Sequence, residues 1–539
     1  MSDELTRHMS DFVFWVICLR GEAPDAAQSD IFIRSRQGRV QSQLTDKADT
    51  LRHGYLGLTG VLRFPVNAPR RKKDIVARSQ SKFIAGSRIF WALVLFLALV
   101  FFTGGGARGD IQSLIILRPV TVLMCGFALW SLKREHVQAN RFLFGMAVAI
   151  FALVGLHLVP LPPAIWGSLP GREIITEIDK TAGLGDVWRP LTMVPSGGWN
   201  AFYSLFVPLA VLLLGVQLSR EERFQLLPVL MGLGLFSGFI GLLQTIGDPQ
   251  GLLYFYSVTN NGSAVGLFAN RNHQAILLAT LFPVLAVYAC AGVKSEEQAK
   301  VRGYIALAAA VVLVPLILVT GSRAGLIVGV VGLLSVALLY RRPKIVVPKK
   351  RKSNKLDLRW LLGAFAVICL GGLTVIMSRA EAFKRISAAD QTEDLRFKAW
   401  PYVMDMAEKY FPVGSGAGSF VEVFQRDEPY ELLEPSYFNH AHNDWLELYL
   451  TFGLPGLLLL TCVVFVFGKA TLGAFRAEIG EGRDVLFARL GAVTVVILAL
   501  GSIGDYPLRA PALAAVLMIA ALWMASPRGG EVSNNTGSL

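Results

Sequence analysis

WLELYLTFGLPGLLLLTCVVFVF, residues 445–467, is the stretch that decides the fold. It is longer than the roughly 20 apolar residues a helix needs to cross a hydrocarbon core, and its one charged side chain, Glu447, lies near its start. Apolar stretches of similar character recur at 87–103, 112–131, 142–159, 201–217, 225–245, 274–292, 303–320, 324–340, 360–377, 485–503 and 509–525. Hydrophobic residues fill 53% of 539 positions and mean hydropathy is +0.50. The chain therefore reads as all-α, a polytopic integral membrane bundle of about 12 transmembrane helices with a large periplasmic loop, 378–443, between the ninth and tenth.

The net charge of +13 invites a nucleic-acid reading, but its placement argues against one. Arg70, Arg71, Lys72 and Lys73 precede the first span, and Lys133, Arg134 and Arg141 follow the second. Nine Lys or Arg lie between Arg341 and Arg359. All fall on one side when the spans alternate, and the positive-inside rule makes that side cytoplasmic. Anionic membrane lipid, with no nucleic acid, is the partner this pattern implies. Residues 1–85 are polar and aperiodic and read as a disordered cytoplasmic extension or a start assigned too early. Residues 86–525 form the membrane domain, and 526–539 a cytoplasmic tail. The five cysteines are scattered, four of them inside spans, and form neither a disulfide framework nor a metal knuckle; no metal and no cofactor is expected.

Polar residues of chemical interest fall on the opposite, periplasmic side. Asn270-Arg271-Asn272-His273 opens a span, so Arg271 sits at a helix N-terminus, where free N–H groups and a guanidinium fork together suit a phosphate. The turn Thr320-Gly321-Ser322-Arg323-Ala324-Gly325 holds Arg323 close to membrane depth, against the prevailing bias, and such a charge calls for an anionic ligand or an acidic partner. Arg396 lies on a short amphipathic segment through Trp400. The glycines between Pro412 and Phe420 allow either a close approach to a ligand or a plain turn. His440 and His442, two apart, fit no helical zinc spacing, and a neutral imidazole at a helix mouth suits a general base.

His442 and Asn443, nine residues, Gly453, two residues and Gly456 reproduce the signature spacing of the bacterial O-antigen ligases and polysaccharide polymerases. The blocks around Arg271 and Arg323, and the run from Pro412 to Phe420, are similar to further blocks of that family, over roughly 245–460. The resemblance implies a membrane glycosyltransferase of the inner membrane with its site facing the periplasm. It would move a polyprenyl-diphosphate-linked glycan onto lipid A core, without metal and with inversion. Here it implies His442 as base, with Arg271, Arg323, Asn270, Asn443, Arg396 and Arg509 holding substrate. Gly504-Asp505-Tyr506-Pro507-Leu508-Arg509 resembles a block found in protein O-oligosaccharyltransferases and in exopolysaccharide polymerases, the acceptor of the latter being a second lipid-linked glycan. A glycolipid transporter is a third reading, and would call for charges along a central path and related halves, neither of which the sequence displays.

Overall fold

The computed structural model describes residues 86–343, 391–434, 437–477 and 482–525. Helix makes up 73% of it, with almost no strand. The elements are α1 Arg88–Thr103, α2 Leu114–Ser131, α3 Arg134–Ala139, α4 Arg141–Leu156, β1 Pro160–Leu161, α5 Pro163–Gly167, α6 Glu173–Thr181, β2 Arg189–Pro190, α7 Pro195–Ser204 and α8 Phe206–Gly215. They continue as α9 Arg220–Ile246, α10 Arg271–Cys290, α11 Glu296–Thr320, α12 Arg323–Leu339, α13 Gln391–Tyr410, α14 Phe420–Asp427, α15 Asp444–Arg476, α16 Arg483–Gly504 and α17 Pro511–Met524.

Seven of these helical segments are long and apolar enough to cross a membrane: α2, α7 with α8, α9, α10, α11, α15 and α16. Four shorter apolar helices, α1, α4, α12 and α17, occupy further expected spans. The expected ninth span, 360–377, lies outside the described residues, as do the N-terminal extension and the C-terminal tail. Within the expected loop 378–443, the described residues carry two helices: α13 runs well past Trp400, and α14 packs on it through Phe420, Val423 and Phe424. The loop 160–200 carries two short antiparallel strands, pairing Pro160 with Pro190.

The bundle is built around α10, which is apolar on all sides and buried along nearly its whole length, as a helix without a polar face must be. Its neighbours are α9, α11, α12 and α16. Caps fix where the helices begin. Ser219 and Glu222 form a reciprocal capping box at α9, Ser322 accepts from the Gly325 N–H at α12, and Asn270 accepts from the Asn272 N–H at α10. Between α11 and α12 the turn is as tight as the sequence implies, with Gly321 in the left-handed region at φ 63°.

The helix ends sort into two layers. At one end, Arg220 pairs with Asp484 (3.1 Å), Arg483 with Glu221 (2.9 Å), and Glu222 takes the Ser87 N–H (2.6 Å). At the other end the turns at 104–113 and 505–510 meet the segments 157–194, 247–270 and 411–443. There the Ala512 N–H donates to Gly104 O, the Gly105 N–H to the Tyr256 hydroxyl, and the Met193 N–H to Ser415 O.

A break in α15 ties this second layer together. Gly453 has φ 53° and ψ −141° inside the helix, and a Cβ there would collide with Pro412 O. The Leu454 N–H donates to that same carbonyl at 2.8 Å. The Ser415 and Gly416 N–H groups donate to Leu450 O and Thr451 O, both at 2.9 Å. A Cβ on Gly416 would strike Thr192. The glycine run thus admits close backbone approach, and what approaches is the protein's own chain.

Candidate active site

Asp505 is the centre of the site, fully buried at the C-terminal end of α16. A carboxylate there is opposed by that helix's own dipole and needs donors. They come from the N-terminus of α10: the Asn270 side-chain amide donates to Oδ2 at 3.1 Å, and the Asn272 amide donates to the same oxygen. Oδ1 receives the Tyr506 N–H at 2.9 Å and faces Nδ1 of His442 at 3.3 Å and Nε2 of His273 at 3.7 Å. Arg396 stands 4.0 Å from Oδ2. Burial pushes the Asp505 carboxyl up, and the His273 and His442 rings more than offset this, so it lies well below the usual carboxylate range.

His442 is 7% exposed and, at φ 49°, is the one non-glycine with positive φ among the described residues. That unusual backbone sits directly before Asn443, which caps α15 by accepting from the Trp445 and Leu446 N–H groups. Its ring lies against Tyr506, centroids 4.8 Å apart. Burial, and then the Arg396 charge, lower the imidazole to about 4, so it is neutral at physiological pH. Burial and the neighbouring Asp505 charge push the Tyr506 hydroxyl up to about 12.

His442, Arg396, Asn270, His273 and Tyr506 line one cleft of about 240 Å³, closed on its other sides by Arg108, Asn260 and Phe438 among others. A neutral imidazole aligned by a carboxylate and set beside a guanidinium can take a proton while the cation attracts an anion. His273 is buried, and Asp505 Oδ1, 3.7 Å from its Nε2, is too far for an ordinary hydrogen bond.

The sequence-derived residues divide among several places. Arg396 and Asn270 join His442 in the cleft, Asn270 also serving as a helix cap. Asn443 is a cap whose side-chain oxygen serves two backbone donors. Arg509 reaches Asp444 through Nε (3.0 Å) and Glu447 through Nη2 (3.1 Å), an ion cluster joined by His440 Nδ1, 3.1 Å from Glu447. This separates the two histidines: His440 faces the Glu447 cluster and His442 the cleft. Arg271 and Arg323 head α10 and α12, whose first turns meet at Gly325 and Ala275, while Ala324 abuts Gly504. Both arginines therefore start from helix ends next to Asp505 without lining the cleft itself.

Asp505, His273 and Tyr506 lie inside blocks that the sequence reading quoted, but none of them was given a role there. One signal was present, an acidic residue in an outer turn at membrane depth, which by its cost marks a function or a partner.

No curated protein matches the chain. Residues 308–461, which carry Arg323, Arg396, His442 and the Gly453 break, match the model of the family described as O-antigen ligase, the family the sequence resembles.

Proposed function

We propose that the chain transfers a glycan from a polyprenyl diphosphate to an acceptor hydroxyl, at the periplasmic face of the bacterial inner membrane, with His442 as general base. The observation that carries this reading is the buried His442–Asp505 pair at 3.3 Å, set in a cleft beside Arg396. With Nδ1 committed to Asp505, Nε2 takes the acceptor proton as the acceptor oxygen bonds to the anomeric carbon from one face. The bond from that carbon to the diphosphate oxygen breaks on the other face, and its electron pair leaves on the diphosphate, inverting the centre. Arg396, with Arg271 and Arg323 at their helix N-termini, stabilises the charge growing on that leaving group. Both substrates are lipid-borne, so the cleft's place at the mouth of the bundle suits lateral entry and supplies orientation.

Lipid A core is the acceptor we favour. A deletion strain then loses all O-units from its lipopolysaccharide, resolved on a gel, and accumulates lipid-linked polymer. The resemblance of residues 504–509 to a polymerase block supports a second reading, in which the acceptor is another lipid-linked glycan. That reading predicts a core carrying a single repeat. An unchanged lipopolysaccharide ladder with loss of capsule or exopolysaccharide assigns the second reading to a different polymer, and an unchanged ladder with no polymer lost counts against both.

Two further outcomes are expected. Arg271→Lys and Arg323→Lys keep the charge and lose the fork, so each retains little transfer activity at normal membrane abundance. Turnover near wild type in both would assign these side chains to lipid headgroups instead. In a background with its own cysteines replaced, Lys294→Cys and Tyr430→Cys label from opposite sides of the membrane, the second from the periplasm. Labelling of both from one side would remove the periplasmic assignment.

A further inference from the structure

Arg118 lies one turn into α2, on a face that also presents Ile115 and Val122, both exposed. Such a face meets lipid, and a charge on it is costly unless answered. Among the described residues nothing acidic answers it. Its guanidinium donates to the side-chain carbonyl of Asn200 and lies 5.6 Å from the centre of the Tyr203 ring, both neutral. The side chains around it form a small cleft with Thr121, Asn200, Ser204, Arg108 and Arg509. Two of those cations are already matched, Arg108 by Asp110 (2.7 Å) and Arg509 by Asp444 and Glu447. One positive charge is left over, that of Arg118.

The cleft's volume, about 30 Å³, is that of a water molecule or a few headgroup oxygens and excludes a sugar ring. It lies across the turn containing Ala107 and Arg108 from the His442 cleft, since those two residues line both. We propose that this second cleft binds the phosphate of a membrane lipid, with Arg118 as its fork and the Asn200 amide as a further donor, while Ser204, whose hydroxyl donates to Ala201 O at 2.6 Å, lines the cleft. A phospholipid headgroup and a phosphorylated glycolipid present the same oxygens to it. The assignment rests on Arg118 and its surroundings and does not depend on glycosyl transfer.

Native mass spectrometry of the full chain tests it, using phosphatidylglycerol, bisphosphorylated lipid A and a phosphate-free galactosyl diacylglycerol as probes. Wild type should retain one of the phosphate lipids at least about tenfold over the galactolipid, the preference that a single charge-assisted hydrogen bond supplies. Arg118→Gln should lose that preference, and so should Ser204→Trp, which fills the cleft while keeping the arginine. Stronger retention of lipid A than of phosphatidylglycerol identifies a phosphorylated glycolipid as the occupant; equal or weaker retention identifies bulk anionic lipid, and either supports the site. Retention is read with no glycan donor present and does not depend on turnover, which separates this result from any failure of the transfer reading. Equal retention of all three lipids by wild type, or an unchanged preference in Arg118→Gln, overturns the proposal and leaves Arg118 as a side chain reaching generally for the interface.

Discussion

His442→Ala lowers turnover of the lipid-linked donor by about 10²–10⁴-fold, the range over which a positioned general base accelerates proton transfer. Donor binding persists, because the arginines that attract the diphosphate are untouched. His440→Ala keeps most of its activity, since that ring faces Glu447 and Arg509. The pH dependence carries a sign that distinguishes a base from a cap. The neutral imidazole is the active form, and burial together with Arg396 disfavours the protonated one, bringing the ring to about 4. Activity is therefore held as pH falls from neutrality and lost as it passes through about 4, well below the usual histidine range. Because His442 and Asp505 are coupled, that limb belongs to the pair. An acid limb in kcat/KM near 6.5 would contradict the buried environment assigned to this ring.

Asp505→Asn is the second large expected effect, a fall in kcat of about 10²–10⁴-fold, from the loss of an anion that fixes the imidazole tautomer and steadies its charged form. The amide keeps the shape of the carboxylate. It also sets an NH₂ group among donors from Asn270, Asn272 and the Tyr506 backbone, which previously met only acceptor oxygens. KM for the donor changes much less than kcat, because Asp505 reaches substrate only through His442. Equal changes in both, or a kcat near wild type, would make Asp505 a packing residue. Membrane abundance of the variant, measured alongside, separates a lost base from a lost fold.

The catalytic candidate was legible because its signature is local: Gly453 and Gly456 lie within one helix, Asn443 caps it and His442 directly precedes the cap. The glycines between Pro412 and Phe420 read equally as a close approach to a ligand or a plain turn. Sequence could not reveal that Gly414 makes room for α15 and Gly416 and Gly418 for Thr192 and Gly197, because those contacts join segments far apart in the chain. Asp505 was hidden for a related reason. Its partners lie 63 and 235 residues away, and no periodicity links a turn before the last helix to a cap halfway along the sequence. Asn270 and Asn443 were read as substrate groups, and the structure adds a second role, since side chains that accept hydrogen bonds are also what a helix N-terminus requires. Arg509 was chosen for its charge, but pattern alone could not show Asp444 and Glu447 answering it. Seven of the expected spans were clear from composition, because a run of apolar residues that long has few other uses.

Release of polyprenyl diphosphate from a lipid-linked oligosaccharide, by purified protein in liposomes with lipid A core and a chelator present, tests the central claim most directly. The account predicts one polyprenyl diphosphate released per glycan transferred by wild type, with inverted configuration at the new linkage, and neither product from His442→Ala. Equal release by wild type and His442→Ala, or loss of wild-type transfer on chelation, would contradict it.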